Sequence, residues 1–170
     1  MSEPLVGDYH QRLLSSLGEA FEIARRVREY TNSPTDHVET IFADTMDERV
    51  ELLVGPEGVA EKIRRMKGVL SGEQLAFKLC EDIVYSSLGR MDEESIMKQA
   101  ICTALAVLTP PCITAAPSEG ISKVKIKENP DGSRYLAVYF AGPIRAAGGT
   151  ELAAVVVLAD YVRRLLGLDR

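Results

Sequence analysis

Residues 121–141 read Ile-Ser-Lys-Val-Lys-Ile-Lys-Glu-Asn-Pro-Asp-Gly-Ser-Arg-Tyr-Leu-Ala-Val-Tyr-Phe-Ala. Here the hydrophobic period changes. From Ile121 to Lys127 the side chains alternate, with Val124 and Ile126 on one side and Lys123, Lys125 and Lys127 on the other. That alternation predicts a half-buried strand. Asn129-Pro130-Asp131-Gly132 predicts a turn, because proline presets its φ and glycine accepts a positive one. Arg134 to Ala141 predicts a second strand, so the stretch is a β-hairpin.

Upstream, the period is helical. Leu13, Leu14, Leu17, Phe21, Ala24 and Val27 predict one amphipathic helix over 8–30, with Arg25, Arg26 and Arg28 mostly on its other face. Thr31-Asn32-Ser33-Pro34 stops it, since the residue before proline disfavours the helical region. Residues 36–54 stay open. Asp36-His37-Val38-Glu39 could open a short helix, and Asp47 to Val54 reads as helix or strand. Pro56 suits a first helical position, where its missing N–H costs nothing. Val59, Ile63 and Met66 stripe that helix, and Lys62, Arg64, Arg65 and Lys67 crowd its end, where cations favour the dipole. Ser71-Gly72 starts the next helix, buried through Leu75, Leu79, Ile83 and Val84, with Gly89 as its stop. Asp92-Glu93-Glu94 opens another, running through Ile96, Ala100, Ala104, Leu105 and Leu108 to Pro110-Pro111.

Downstream, residues 142–150 form a glycine-rich connection, and Thr150 is placed to cap a final helix over 151–167. That helix is apolar almost all round from Leu152 to Leu158, which predicts a buried, central element. The fold class expected is α+β: a mainly helical N-terminal module, then a β-hairpin and a buried C-terminal helix. We read 1–170 as a single domain, with 1–110 as its helical part and 111–170 as hairpin, loop and final helix. Leu168-Asp169-Arg170 follows directly on a helix, so the chain reads as part of a longer polypeptide.

The 170 residues are 46% hydrophobic and 26% charged, an ordinary globular composition. It excludes a disordered tail, a collagen-like chain and a disulfide-rich miniprotein. The longest purely apolar run, Leu152 to Ala159, is far short of the roughly 20 residues a membrane helix needs. No signal peptide is visible, and a cytoplasmic location with no membrane partner is expected. Cys80, Cys102 and Cys112 are odd in number and lack a CxxC pair, so they read as buried filler rather than disulfides or a zinc knuckle. The net charge of −5 is unevenly placed. Residues 1–60 hold 5 basic and 12 acidic side chains, 61–90 hold 6 and 4, and 91–170 hold 9 and 9. The total argues mildly against a free-standing nucleic-acid binder, while the later segments could still touch phosphate.

Candidate chemistry is sparse. Strand, glycine-rich loop and helix is an order that aims backbone N–H groups at phosphate, yet GxxxxGK[ST] and GxGxxG are both absent, and Glu151 would repel an anion. The loop either lets a buried helix pack closely or contacts an anion. Arg145, its one cation, either grips a phosphate or pairs with an internal carboxylate. Lys123, Lys125, Lys127 and Arg134 form a basic stripe that either tracks a nucleic-acid backbone or is a solvated face. Asp44, Asp47-Glu48 and Asp92-Glu93-Glu94 sit at predicted helix starts, where capping explains them. His10 and His37 belong to no triad. No catalytic, cofactor-binding or metal site is expected in this stretch.

Longer strings carry more. Residues 47–60 (Asp47 to Ala60), Thr103 to Thr109 after Glu94, Ala115 to Ile121, Tyr135 to Thr150, and Ala159-Asp160-Tyr161-Val162-Arg163 keep their order and spacing. Together they resemble the N-terminal region of the large subunit of archaeal family D DNA polymerase, from about residue 8 to the end. The resemblance implies a parent enzyme that extends primers on DNA templates with magnesium and deoxynucleoside triphosphates. It implies structural zinc, a small subunit supplying a 3′–5′ exonuclease, and work with a sliding clamp. The family's catalytic aspartates and zinc cysteines have no counterpart among these residues. The role expected for this stretch is non-catalytic: subunit assembly, contact with primer–template DNA, or both. The alternatives are a stand-alone nucleotide-binding enzyme using Gly142 to Thr150, and a purely structural dimerisation module.

Overall fold

The computed structural model describes residues 3–32, 43–109, 120–142 and 149–169. The chain divides into two compact units, Met1–Phe42 and Ala43–Arg170. The first unit holds one long helix, α1 (Glu3–Thr31). It begins a turn earlier than the apolar spacing suggests, with Pro4 in the first turn, where a missing N–H is harmless. Arg25 bridges Glu22 at 2.7 Å and Glu29 at 3.4 Å along the surface. Asn32, at φ 52°, closes the helix in the left-handed conformation.

The second unit follows the order α2 (Met46–Val54), α3 (Val59–Met66), α4 (Gly72–Ser87), α5 (Glu93–Leu108), β1 (Ile121–Glu128), β2 (Arg134–Phe140) and α6 (Thr150–Leu165). This is the α+β, mainly helical fold expected. Asp47 to Val54 resolves as helix, capped by Thr45, whose Oγ1 accepts from the Glu48 amide at 3.3 Å. Asp36 to Glu39 lie outside the described residues. Pro56 does not start α3. Its carbonyl accepts from the Val59 amide at 3.1 Å, and Gly58 turns at φ 81°, so the helix begins three residues later. Glu51 on α2 caps that start, its Oε2 accepting from the Ala60 amide at 2.7 Å.

α4 opens with a capping box in which Ser71 and Gln74 each accept the other's backbone N–H. α5 opens on Asp92, which accepts from the Ser95 amide at 2.9 Å. The Ser95 side chain, with that amide, holds the Asp92 carboxyl below its usual range by hydrogen bonding. β1 and β2 pair antiparallel, with Val124 opposite Val138 and Lys125 opposite Ala137. The turn closes as expected: the Asn129 carbonyl accepts from Gly132, which sits at φ 84°.

The main core lies where α4, α5, α6 and β1 meet. Ala76 and Cys80 on α4 and Ala100 and Ala104 on α5 are fully buried. Cys80 Sγ donates to the Ala100 carbonyl at 3.6 Å across the helix pair, a contact that only small side chains permit. A second cluster packs Val50, Val59 and Ile63 against Leu75, Leu79 and Ala106. α6 departs from its expected form in two ways. Its N-cap is Gly149, with Thr150 already helical and no side-chain cap. Only one face is buried, through Val155, Leu158, Ala159 and Val162, while Val156 and Val157 are more than half exposed. Continuous apolar sequence thus covers both the core face and an outer face.

Cys80 and Cys102 are buried thiols outside any disulfide; Cys112 lies outside the described residues. Burial pushes the Cys80 thiol up to about 12, and the Cys102 thiol up to about 11 against the opposing pull of Lys98. The thiolate is the reactive form. Iodoacetamide at mildly alkaline pH is therefore expected to leave both unlabelled in the native chain and to label both in denaturant. Mass spectrometry of peptides from native protein would refute this burial if either site reacted at the denatured rate.

Candidate nucleic-acid interface

The hairpin's inner side packs Val124 into the core and half-buries Ile126, Leu136 and Val138 against it. Strand alternation then forces Lys123, Lys125 and Lys127 outward. The register sets Lys123 opposite Tyr139, Lys125 opposite Ala137 and Lys127 opposite Tyr135. Lys123 Nζ lies 4.9 Å, and Lys127 Nζ 5.4 Å, from the centre of the Tyr139 ring, within cation–π range. The ammonium of Lys127 beside the Tyr139 hydroxyl holds that phenol below its usual range, and the same contact raises Lys127.

The other predicted cations are engaged elsewhere. Lys125 pairs with Glu94, whose second oxygen accepts from the Ile126 amide at 2.9 Å. The Lys125 contact, reinforced by that amide, lowers the Glu94 carboxyl. Arg134 pairs with Glu93 at 2.7 Å. The acidic first turn of α5 therefore engages the middle lysine of the stripe and Arg134. Lys123 and Lys127 have no carboxylate partner among the described residues. Arg145 lies outside the described residues. Of the five predicted basic contacts, the structure brings Lys123 and Lys127 together over one ring and turns Lys125 and Arg134 toward α5. Tyr139 escaped the sequence reading, although the hairpin turn fixes the register that sets it opposite Lys123.

Two other features bear on chemistry. Asp47 does not cap α2 but is a buried ion-pair partner, reached by Arg64 Nε at 3.1 Å and Lys67 Nζ at 3.2 Å. The basic end of α3 is thus folded back on α2. At the start of α6, Glu151 Oε1 is buried without a hydrogen-bond partner among the described residues. Its place in the first turn of α6 sets a negative charge where an incoming phosphate would be repelled. Among the described residues no three His, Cys, Asp or Glu side chains form a metal-holding group, and no helix is long and apolar enough to cross a membrane.

A family model described as DNA polymerase II large subunit DP2, N-terminal, matches residues 8–170. The chain is 45% identical over 163 residues to the DNA polymerase II large subunit of Methanococcus maripaludis strain C5, which covers 96% of this chain and 14% of that protein. It is 46% identical over 166 residues to the large subunit of Methanothermobacter thermautotrophicus, at 96% of this chain and 15% of that one. Against the large subunit of Pyrococcus furiosus it is 45% identical over 168 residues, at 97% and 13%. The chain thus spans about one-seventh of the length of the relatives it matches. A match over nearly all of its residues, at this identity, places it in the family of N-terminal domains of the archaeal DNA polymerase II large subunit.

Proposed function

We propose that the chain is a non-catalytic module of a replicative DNA polymerase, and that the outer face of its hairpin contacts the DNA backbone. The observation that supports this is the placement of Lys123 and Lys127 over the Tyr139 ring, two ammonium groups with no carboxylate partner among the described residues. Cations so placed gain most of their binding energy by releasing counterions from phosphate. The parent subunit, on this reading, carries out template-directed synthesis with magnesium and deoxynucleoside triphosphates, joined by a small 3′–5′ exonuclease subunit and a sliding clamp. The described residues hold no cluster that fits magnesium or zinc, so no metal-dependent step is assigned to them. Family membership supports this reading over a stand-alone nucleotide-binding enzyme.

Fluorescence anisotropy of labelled primer–template DNA tests the contact. Binding should weaken with salt, with a log–log slope of about −2 for two phosphates. Lys123→Glu with Lys127→Glu should abolish it at low salt. Unchanged affinity in the double variant would remove the hairpin face from the interface. A second reading, assembly alone, is favoured by a groove of about 390 Å³ lined by Leu136, Val138, Phe140, Val156 and Ala159, with Asp160 and Arg163 at its side. It would stand if DNA did not bind even at low salt.

A further inference from the structure

β2 has one edge paired with β1 and one edge that the chain itself begins to occupy. Ala141 donates to the Gly120 carbonyl on the β1 side at 3.0 Å, whereas the Arg134 carbonyl accepts from the Asp169 amide at 2.8 Å on the opposite side. Backbone groups alternate along a strand. Leu136, Val138 and Phe140 therefore present theirs to the outer edge, with Arg134. The segment after α6 approaches that edge in a defined way. Gly167, at φ 66°, reverses the chain, and the Leu168 amide donates back to Arg163 at 3.1 Å. Asp169 then forms a bridge with Tyr135, and the bridge is parallel.

A parallel bridge reached through a helix is how a β–α–β unit begins. The relatives' large subunits are about seven times longer than the matched region. We infer that in the full-length large subunit the residues directly following Arg170 continue this bridge as a third strand, parallel to β2. The sheet order becomes β1-β2-β3, with α6 as the crossover helix. The inference rests on family membership and the bridge, and is independent of the DNA contact proposed above. Two features support the occupant. An uncovered edge is a liability that folded chains usually cover. The groove beside it has an apolar β2 wall of Leu136, Val138 and Phe140, and an α6 wall that sets Val156 and Ala159 beside the ion-paired Asp160 and Arg163. A third strand sets alternate side chains beside Val138, over that groove.

The register makes the inference sharp. With Tyr135 opposite Asp169, Ala137 falls opposite the first residue after Arg170. In a full-length large subunit, Ala137→Cys combined with cysteine at that first position should give an intramolecular disulfide under mild oxidation, identified by mass spectrometry of the linked peptides. Moving the second cysteine one residue on, to the opposite face of the strand, should prevent it. In the unmodified full-length subunit, residue-resolved hydrogen exchange provides a readout that needs no variant. The Val138 and Phe140 amides should exchange as slowly as those of Ala137 and Tyr139, which face β1. Absence of the disulfide in folded protein, a disulfide joining two copies, or fast exchange confined to Val138 and Phe140 would each overturn the third strand.

Discussion

Ile101→Ala lowers the unfolding free energy of the chain by about 2–5 kcal/mol, the range for removing a large aliphatic side chain from a packed core. Ile101 is fully buried in the cluster that joins Val84 of α4, Ile121 of β1 and Val155 and Leu158 of α6. Several elements share this one core, so a void there is not relieved by moving a single helix. The neighbouring close approach through Ala76, Cys80, Ala100 and Ala104 leaves little room for collapse. Urea denaturation followed by circular dichroism measures the loss, with an unchanged slope expected. Ile101→Val removes one methylene and should cost only about 0.5–1.5 kcal/mol. Val156→Ala, on the exposed side of α6, should stay within about 0.5 kcal/mol. A loss at Ile101 no larger than at Val156 would mean that α5 is not the centre of this domain.

Local signals account for what could be read beforehand. Ser71 and Asp92 announce α4 and α5, because a capping side chain acts within one turn. Asn129 to Gly132 announces the hairpin, because proline and glycine fix the turn without help from the rest of the chain. What escaped depends on distance in sequence. Glu94 and Lys125 are 31 residues apart and Glu93 and Arg134 are 41 apart; no pattern within either element shows that they meet. The uniform basic stripe of β1 therefore becomes, in three dimensions, one lysine paired with a carboxylate between two that sit over the Tyr139 ring. The α6 sequence misled for another reason. Eight consecutive apolar residues cannot say which are covered by this core and which are left to a further surface. Pro56 is compatible with a helix start, but Gly58 two residues later takes a conformation that a helix excludes.

Thr103→Val should destabilise the chain by about 1–3 kcal/mol although it preserves shape and adds apolar surface, because it strands a buried acceptor. α2 ends with carbonyls that have no partner within the helix. α5 supplies the donors. Thr103, fully buried, donates through Oγ1 to the Gly55 carbonyl at 2.6 Å. Gln99, one turn earlier, donates through Nε2 to the Val54 carbonyl and to Thr103 Oγ1, the latter at 3.1 Å. Two side chains from the middle of an apolar helix thus hold the corner between α2 and α3, some 45 residues away in sequence. Thr103→Ser keeps the hydroxyl and loses one methyl, so it should cost less, about 1 kcal/mol. Gln99→Leu should also destabilise, and its effect should not add to that of Thr103→Val, with a coupling of about 0.5–3 kcal/mol in a double-mutant cycle. Additive losses, or a Thr103→Val variant as stable as the parent, would show that the corner is held by the Val50, Val59 and Ile63 cluster alone. Coupled losses would identify Gln99 and Thr103 as the link through which α5 positions the α2–α3 pair.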